Sequence, residues 1–143
     1  MAKQRIFIKQ SFNASIETVF TALTDHNNFG RVVNANITRI KDSDSDNVNG
    51  VGSIRRISPL PFSHFEETVI RYESGRLMEY TISKGSPVKN HKGRMEFFEV
   101  NGKTQLNYSV YFEPKIPFMG RLLKGIIEGP LVKSLKTLAV TYG

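Results

Sequence analysis

The chain predicts an α+β fold: a curved antiparallel sheet wrapped around one long C-terminal helix. Three observations carry that expectation. A strand and a short amphipathic helix come first, period-two segments then run from about residue 35 to 113, and a helical pattern closes the chain. A helix laid across the concave side of such a sheet leaves room for a cavity. The 143 residues are of a size for one domain with one core, spanning 1–143.

Residues 4–12 read as a strand, with Ile6 and Ile8 on one face and Arg5, Phe7 and Lys9 on the other. In the segment Asn13 to Leu23, Ile16, Val19, Phe20 and Leu23 fall on one helical face. Asn13 or Ser15 supplies the N-cap, and Glu17 suits the positive end of the helix dipole. Asp25 to Gly30 reads as a turn or a second short helix. Strands are expected at 35–42, 51–58, 63–73, 76–84, 92–100 and 103–113. Glu73-Ser74-Gly75 and Val100-Asn101-Gly102-Lys103 are tight connections, and Pro59-Leu60-Pro61-Phe62 is a third. Strands joined by turns this short are antiparallel. Met78, Tyr80 and Ile82, then Met95 and Phe97, then Leu106, Tyr108, Val110 and Phe112 form the more apolar set of each strand, which places them on the concave side.

The closing helix is expected over about 118–141. Leu122, Leu123, Ile126 and Ile127 form an apolar face before Pro130; Leu131, Leu135, Leu138 and Tyr142 form one after it. These two faces do not align on a straight helix. Pro130 removes a helical hydrogen bond, so a kink there is expected to re-aim the second half at the sheet.

Composition excludes several classes of chemistry. The chain has no Cys, hence no disulfide, thiolate metal site or Cys nucleophile. Hydrophobic residues make up 39% and charged residues 23%, which argues against disorder. No secretory leader and no membrane-spanning run is visible, so a cytoplasmic address is the default expectation. The net charge is +7. Its basic residues are scattered, the nearest approaches to clusters being Lys89 to Arg94 and Lys115 to Lys124. A solvated basic surface is the plainer reading and an anionic partner the alternative; nucleic acid is not expected. Asp42, Asp44 and Asp46 have the spacing of a calcium loop, yet no helices flank them and the twelfth place holds Ser53. The three histidines lack metal-ligand spacing, so no metal and no cofactor are expected. No nucleophile elbow or dinucleotide fingerprint is present.

The order of elements and several local patterns carry a resemblance. These are Ala22-Leu23-Thr24-Asp25 closing the first helix, Gly50-Val51-Gly52-Ser53-Ile54-Arg55 opening a strand, and Glu67-Thr68-Val69-Ile70-Arg71-Tyr72-Glu73. Leu77-Met78-Glu79-Tyr80-Thr81-Ile82 and Phe112-Glu113-Pro114-Lys115 complete the set. Together they resemble the START-like, Bet v 1-like (SRPBCC) superfamily, and more closely its polyketide cyclase/dehydrase-type branch. The resemblance implies a helix-grip fold with a hydrophobic cavity between sheet and C-terminal helix. Members bind lipids, sterols, polyketides or other apolar molecules, and some cyclise or dehydrate polyketides. Many members carry a Trp after the second short helix; this chain has none and places Gly30-Arg31-Val32-Val33 there.

The resemblance also places Arg55 and Glu67 at the family's Arg and Glu positions. Either they form a polar spot in the cavity, or they are a structural ion pair or solvent-facing charges. Tyr72, Tyr80 and Tyr108 would orient a ligand or donate a proton, or else pack in the core with their hydroxyls at the rim. Met78, Met95, Phe97 and Phe112 make an adaptable lining or plain core. Ile126 and Ile127 would add the helix wall. A surface position is the plainer reading of His64, and a role as acid or base the alternative. Ser86 to Lys92 is read as a loop at the cavity mouth, with Met119-Gly120 a candidate gate. The leading expectation is binding or carriage of a hydrophobic small molecule such as a lipid or polyketide, by a monomer or homodimer. A cyclase/dehydrase-type enzyme using Tyr80, His64, Arg55 or Glu67 is one alternative, and a co-chaperone-like interaction module another.

Overall fold

The computed structural model describes residues 3–60 and 63–143. Elements follow in the order β1 Gln4–Phe12, α1 Ile16–Thr24, α2 His26–Val32, β2 Asn36–Lys41, β3 Ile54–Leu60, β4 Ser63–Glu73, β5 Leu77–Lys84, β6 Val88–Val100, β7 Lys103–Pro114 and α3 Gly120–Thr141. The strands form one antiparallel sheet in the order β1-β7-β6-β5-β4-β3-β2. Strands β2 to β7 follow one another as a meander, and β1 pairs with β7 at the far edge. The α1–α2 segment therefore carries the chain from one edge of the sheet to the other.

Local chemistry explains the element boundaries. Ser15 caps α1, its hydroxyl accepting from the Thr18 N–H at 3.3 Å. Asp25 ends α1 and starts α2, accepting from the Asn28 N–H at 3.0 Å. Asn101 and Gly102 both have positive φ (53° and 77°), as the tight β6–β7 hairpin requires. Pro61 and Phe62 of the expected β3–β4 turn lie outside the described residues.

Ile6, Ile8, Met78, Tyr80, Met95, Phe97, Leu106, Tyr108, Val110 and Phe112 are all buried on the concave side, as the alternation predicts. Two strand starts differ by more than one residue. β3 begins at Ile54 rather than 51, because Gly52 turns the chain at φ 86°. β6 begins at Val88, so most of the expected 86–92 loop is strand; Val88 pairs with Pro114 and Lys89 with Glu113. A bulge between Lys89 and Lys92, with Asn90 at φ 52°, breaks the alternation and hides this strand start from a period-two reading.

The helix face also differs from expectation. Leu123, Ile127, Leu131, Leu138 and Tyr142 are partly buried against the core, and Leu135 is fully buried. At 100° per residue these six fall on a single stripe, so no re-aiming at Pro130 is needed to present it. Leu122 and Ile126 do not belong to it. Ile126 is 59% exposed, which corrects its expected place on the inner wall. Pro130 lies inside α3 and leaves the Ile126 carbonyl without its helical N–H donor. The Tyr142 ring meets Phe12 edge-on at 6.2 Å and anchors the C-terminal end of α3 to β1.

Candidate functional site

Arg55 and Glu67 face each other across the β3–β4 pairing. Both are buried on the concave side, Arg55 being only 1% exposed. The Arg55 Nε–H donates to Glu67 Oε1 at 2.8 Å, and Nη2 lies 2.7 Å from the same oxygen without hydrogen-bond alignment. Nη1 has no partner among the described residues. The guanidinium is held between two rings, 4.5 Å from the Tyr80 centroid and 4.8 Å from that of Phe29 on α2. Such a sandwich fixes the plane of the cation and leaves only its edge free to donate.

Tyr80 extends the cluster across the sheet. It pairs with Gly93 on β6, and a methyl group on Gly93 would lie 2.2 Å from Tyr80 Cζ. The glycine lets the ring lie over β6 and reach β7, where its hydroxyl hydrogen-bonds that of Tyr108. The result is a continuous line Phe29–Arg55–Tyr80–Tyr108 under the helical layer, with Glu67 beside it. Gly93 is the signal a sequence reading can use: a glycine inside a long strand marks a close approach.

Two histidines complete the surroundings, and neither is His64. His64 is exposed, which fits its plainer reading as a surface residue and sets aside the acid or base role. His26, fully buried at the start of α2, shares a 2.8 Å hydrogen bond between Nε2 and the Ser53 hydroxyl, and its Nδ1 is unpartnered among the described residues. His91 lies 5.6 Å from the Tyr80 ring, centroid to centroid, and its Nδ1 accepts from the Ile82 N–H at 3.2 Å. Nothing in the local sequence of either histidine marks it as interior.

Burial sets the electrostatics. It lowers the His26 pKa to about 3, with Arg55 and Arg39 adding to the effect, and lowers that of His91 to about 4, with Arg55 adding. Both imidazoles are neutral at pH 7. Burial pushes both phenols above the ordinary tyrosine value, so Tyr80 and Tyr108 remain protonated donors. Burial also raises the Glu67 carboxyl, against the pull of Arg55. For Arg55 burial works against the charge, but Glu67 and the two tyrosines outweigh it and the pKa is raised. The cluster thus offers one fixed cation and phenolic donors in a water-poor interior, which suits recognition of a carbonyl or an oxyanion.

The remaining expected site residues differ in burial. Met78, Met95 and Phe112 are fully buried, and the Phe97 ring packs 5.0 Å from Phe20 of α1. Tyr72 is half-buried, and its hydroxyl accepts from the Asn47 side chain at 2.8 Å rather than reaching Arg55. Ile127 is half-buried beneath α3. Surface clefts lie elsewhere: one of about 580 Å³ between Ser45–Val48 and Tyr72, and one of about 380 Å³ along the outer side of α3. Asp42 pairs with Arg39 at 2.7 Å, and no three potential metal ligands cluster among the described residues.

The sequence matches one known family over nearly its whole length. Its description is polyketide cyclase/dehydrase and lipid transport, and its sequence pattern matches residues 4–141. The chain belongs to this family. Solved structures share its Bet v 1-like helix-grip fold. XoxI from Bacillus cereus is 16% identical, with 99% of this chain and 96% of that one covered at a TM-score of 0.74. Norcoclaurine synthase from Thalictrum flavum, solved with dopamine and hydroxybenzaldehyde, is 12% identical over 99% and 89% at 0.70. Ara h 8.0201 is 13% identical over 98% and 99% at 0.71. At these identities the likeness extends to the fold alone. No curated protein matches the chain in sequence. No helix among the described residues is long and apolar enough to cross a membrane.

Proposed function

We propose that this family member binds a small, largely apolar molecule carrying a carbonyl or acidic oxygen. The oxygen sits at Arg55 and the Tyr80–Tyr108 pair, and the apolar body lies between the sheet and α3 against Met95, Phe112 and Ile127. The observation that carries this reading is the Arg55 guanidinium: buried, charged, clamped between two rings, and with Nη1 unpartnered. A buried N–H without an acceptor costs about 1–3 kcal/mol, more on a charged group. A ligand oxygen removes that cost. The cluster is closed in this conformation, so binding requires α3 to move outward. Its partly buried contact residues make that the weakest seam of the interior. A protein of the same fold, norcoclaurine synthase, is known with small aromatic molecules bound.

The test is native mass spectrometry of freshly purified protein, with extraction and identification of any released molecule. It is paired with titration of the anionic apolar dye 8-anilinonaphthalene-1-sulfonate. Replacing both charges (Arg55→Met with Glu67→Gln) avoids stranding one of them. The double variant is expected to bind the dye on the order of tenfold more weakly, the worth of a charged hydrogen bond. An apo mass together with equal dye affinity for both proteins would sink the proposal. A catalytic reading stands second, on the Tyr80–Tyr108 hydrogen bond, which positions a phenol to pass a proton to a bound carbonyl. Tyr80→Phe separates the two: a carrier loses only the affinity that one phenolic hydrogen bond supplies, about tenfold, whereas an enzyme loses turnover of whatever molecule the extraction identifies by far more.

A further inference from the structure

Facing away from the sheet, the start of α3 carries a second apolar surface. Phe118 is fully exposed, and Ile116, Leu122 and Ile126 are each more than half exposed. Leu122 and Ile126 are one turn apart, on the side of the helix opposite the buried stripe. Phe118 also adopts φ 69°. The left-handed region is unfavourable for a bulky aromatic residue, and such strain persists where the surrounding structure imposes it. Here it holds the ring in water, where it contributes no core contact.

Basic residues predominate around this surface. Residues 115–126 contain Lys115, Arg121 and Lys124 and no acidic residue. The Lys115 N–H donates to the Pro87 carbonyl at 2.9 Å, which brings the β5–β6 connection and Lys89 alongside. Lys3 lies over the Tyr111 ring at 5.2 Å near the same end of the sheet. Glu113 and Glu128 bound the segment on either side, and Glu113 accepts from the Asn90 side-chain amide at 2.7 Å. Met119 begins α3 without a side-chain cap, so the positive end of the helix dipole adds to the field. An aromatic and aliphatic tip ringed by lysine and arginine is complementary to a bilayer: apolar groups enter the acyl boundary and cations meet acidic headgroups.

We propose that Ile116, Phe118, Leu122 and Ile126 form a docking surface for an anionic lipid bilayer, held there by Lys115, Arg121 and Lys124. The surface lies at the N-terminal end of α3, so docking would place the seam under that helix next to the membrane. The proposal does not depend on what the interior binds.

The measurement is flotation of the purified full chain with vesicles of phosphatidylcholine alone or with about one third phosphatidylserine, in low salt and at 0.5 M NaCl. The expected result is binding to the anionic vesicles that weakens in high salt. Phe118→Asp should lower the partition constant on the order of tenfold or more, since an inserted ring is exchanged for a repelled charge. Arg121→Glu should lower it too, while Lys103→Glu, the same charge change on the distant β6–β7 hairpin, should have less effect. Phe118→Gly relieves the backbone strain, so it is expected to raise the melting temperature while binding falls. Absence of vesicle binding, or equal binding by wild type and Phe118→Asp, would overturn the proposal. So would an equilibrium between monomer and dimer in sedimentation that Phe118→Asp abolishes without altering flotation, which would assign the surface to a second copy of the chain.

Discussion

A methyl group on Gly93 would collide with the Tyr80 ring at 2.2 Å, so one hydrogen atom decides whether the Arg55 cluster can form. Gly93→Ala is expected to cost about 1–3 kcal/mol by overpacking and to displace Tyr80 from both Arg55 and Tyr108. Chemical denaturation measures the first effect; an unchanged midpoint would show that the ring yields freely. The two interior histidines make a different kind of prediction. Their ordinary value is 6.5, but the fold holds His26 at about 3 and His91 at about 4. The unfolded chain therefore takes up protons that the folded chain refuses. The stability these groups contribute is present above pH 6.5 and is lost as pH falls toward 4 for His91 and 3 for His26. Each fully exercised pH unit is worth about 1.4 kcal/mol per histidine. Glu67 acts in the opposite sense, because its raised pKa favours the folded state at low pH and that contribution fades as pH rises through the folded value. His26→Gln should flatten the fall in melting temperature between pH 6.5 and 4. Identical slopes for the two proteins would mean that His26 is not the group responsible.

Among the elements, α3 is the least secured. It packs mainly on β1, buries only Gly120 and Leu135 completely, and carries Gly125, Gly129 and Pro130 within 22 residues. Two glycines and a proline are poor helix formers, and the proline also removes a hydrogen bond. A Cβ at Gly125 or Gly129 would meet nothing within 4 Å. Gly125→Ala and Gly129→Ala should each stabilise the helix by about 1 kcal/mol. Amide exchange in wild-type α3 should be faster than in the centres of β6 and β7, and both substitutions should slow it. If α3 already exchanges as slowly as those strands, it is not a movable cover, and the interior site loses its means of opening.

At the scale of the whole molecule, two surfaces of α3 carry different tasks. The stripe from Leu123 to Tyr142 closes the core, and the outer residues Leu122 and Ile126 face solvent beside Phe118. The stripe packs on β1 beside α2, whose Phe29 covers Arg55, and the proposed bilayer contact lies on the second surface. One element therefore borders both the core and the proposed docking surface. This arrangement ties the vesicle experiment to the dye experiment: if α3 opens at a bilayer, anionic vesicles should accelerate dye release from wild type but not from Phe118→Asp. Equal release rates in the two proteins would leave the two surfaces uncoupled.

The sequence by itself determined the strand faces, the α1 cap, the Asn101-Gly102 hairpin and the pattern of the family to which the chain belongs. These are local signals, because period two, a capping hydroxyl and a positive-φ turn are each written within a few neighbouring residues. Arg55 and Glu67 were legible as a pair of positions, but their contact depended on the register between β3 and β4, which no local signal specifies. His26, Ser53 and His91 escaped the reading because their burial arises from segments far apart in the chain. Ile126 lies outside its expected place for a related reason: apolar character alone does not say which face a residue presents. On α3, Leu122 and Ile126 are as hydrophobic as Leu123 and Ile127. Only packing against β1 decided which of them close the core and which meet solvent.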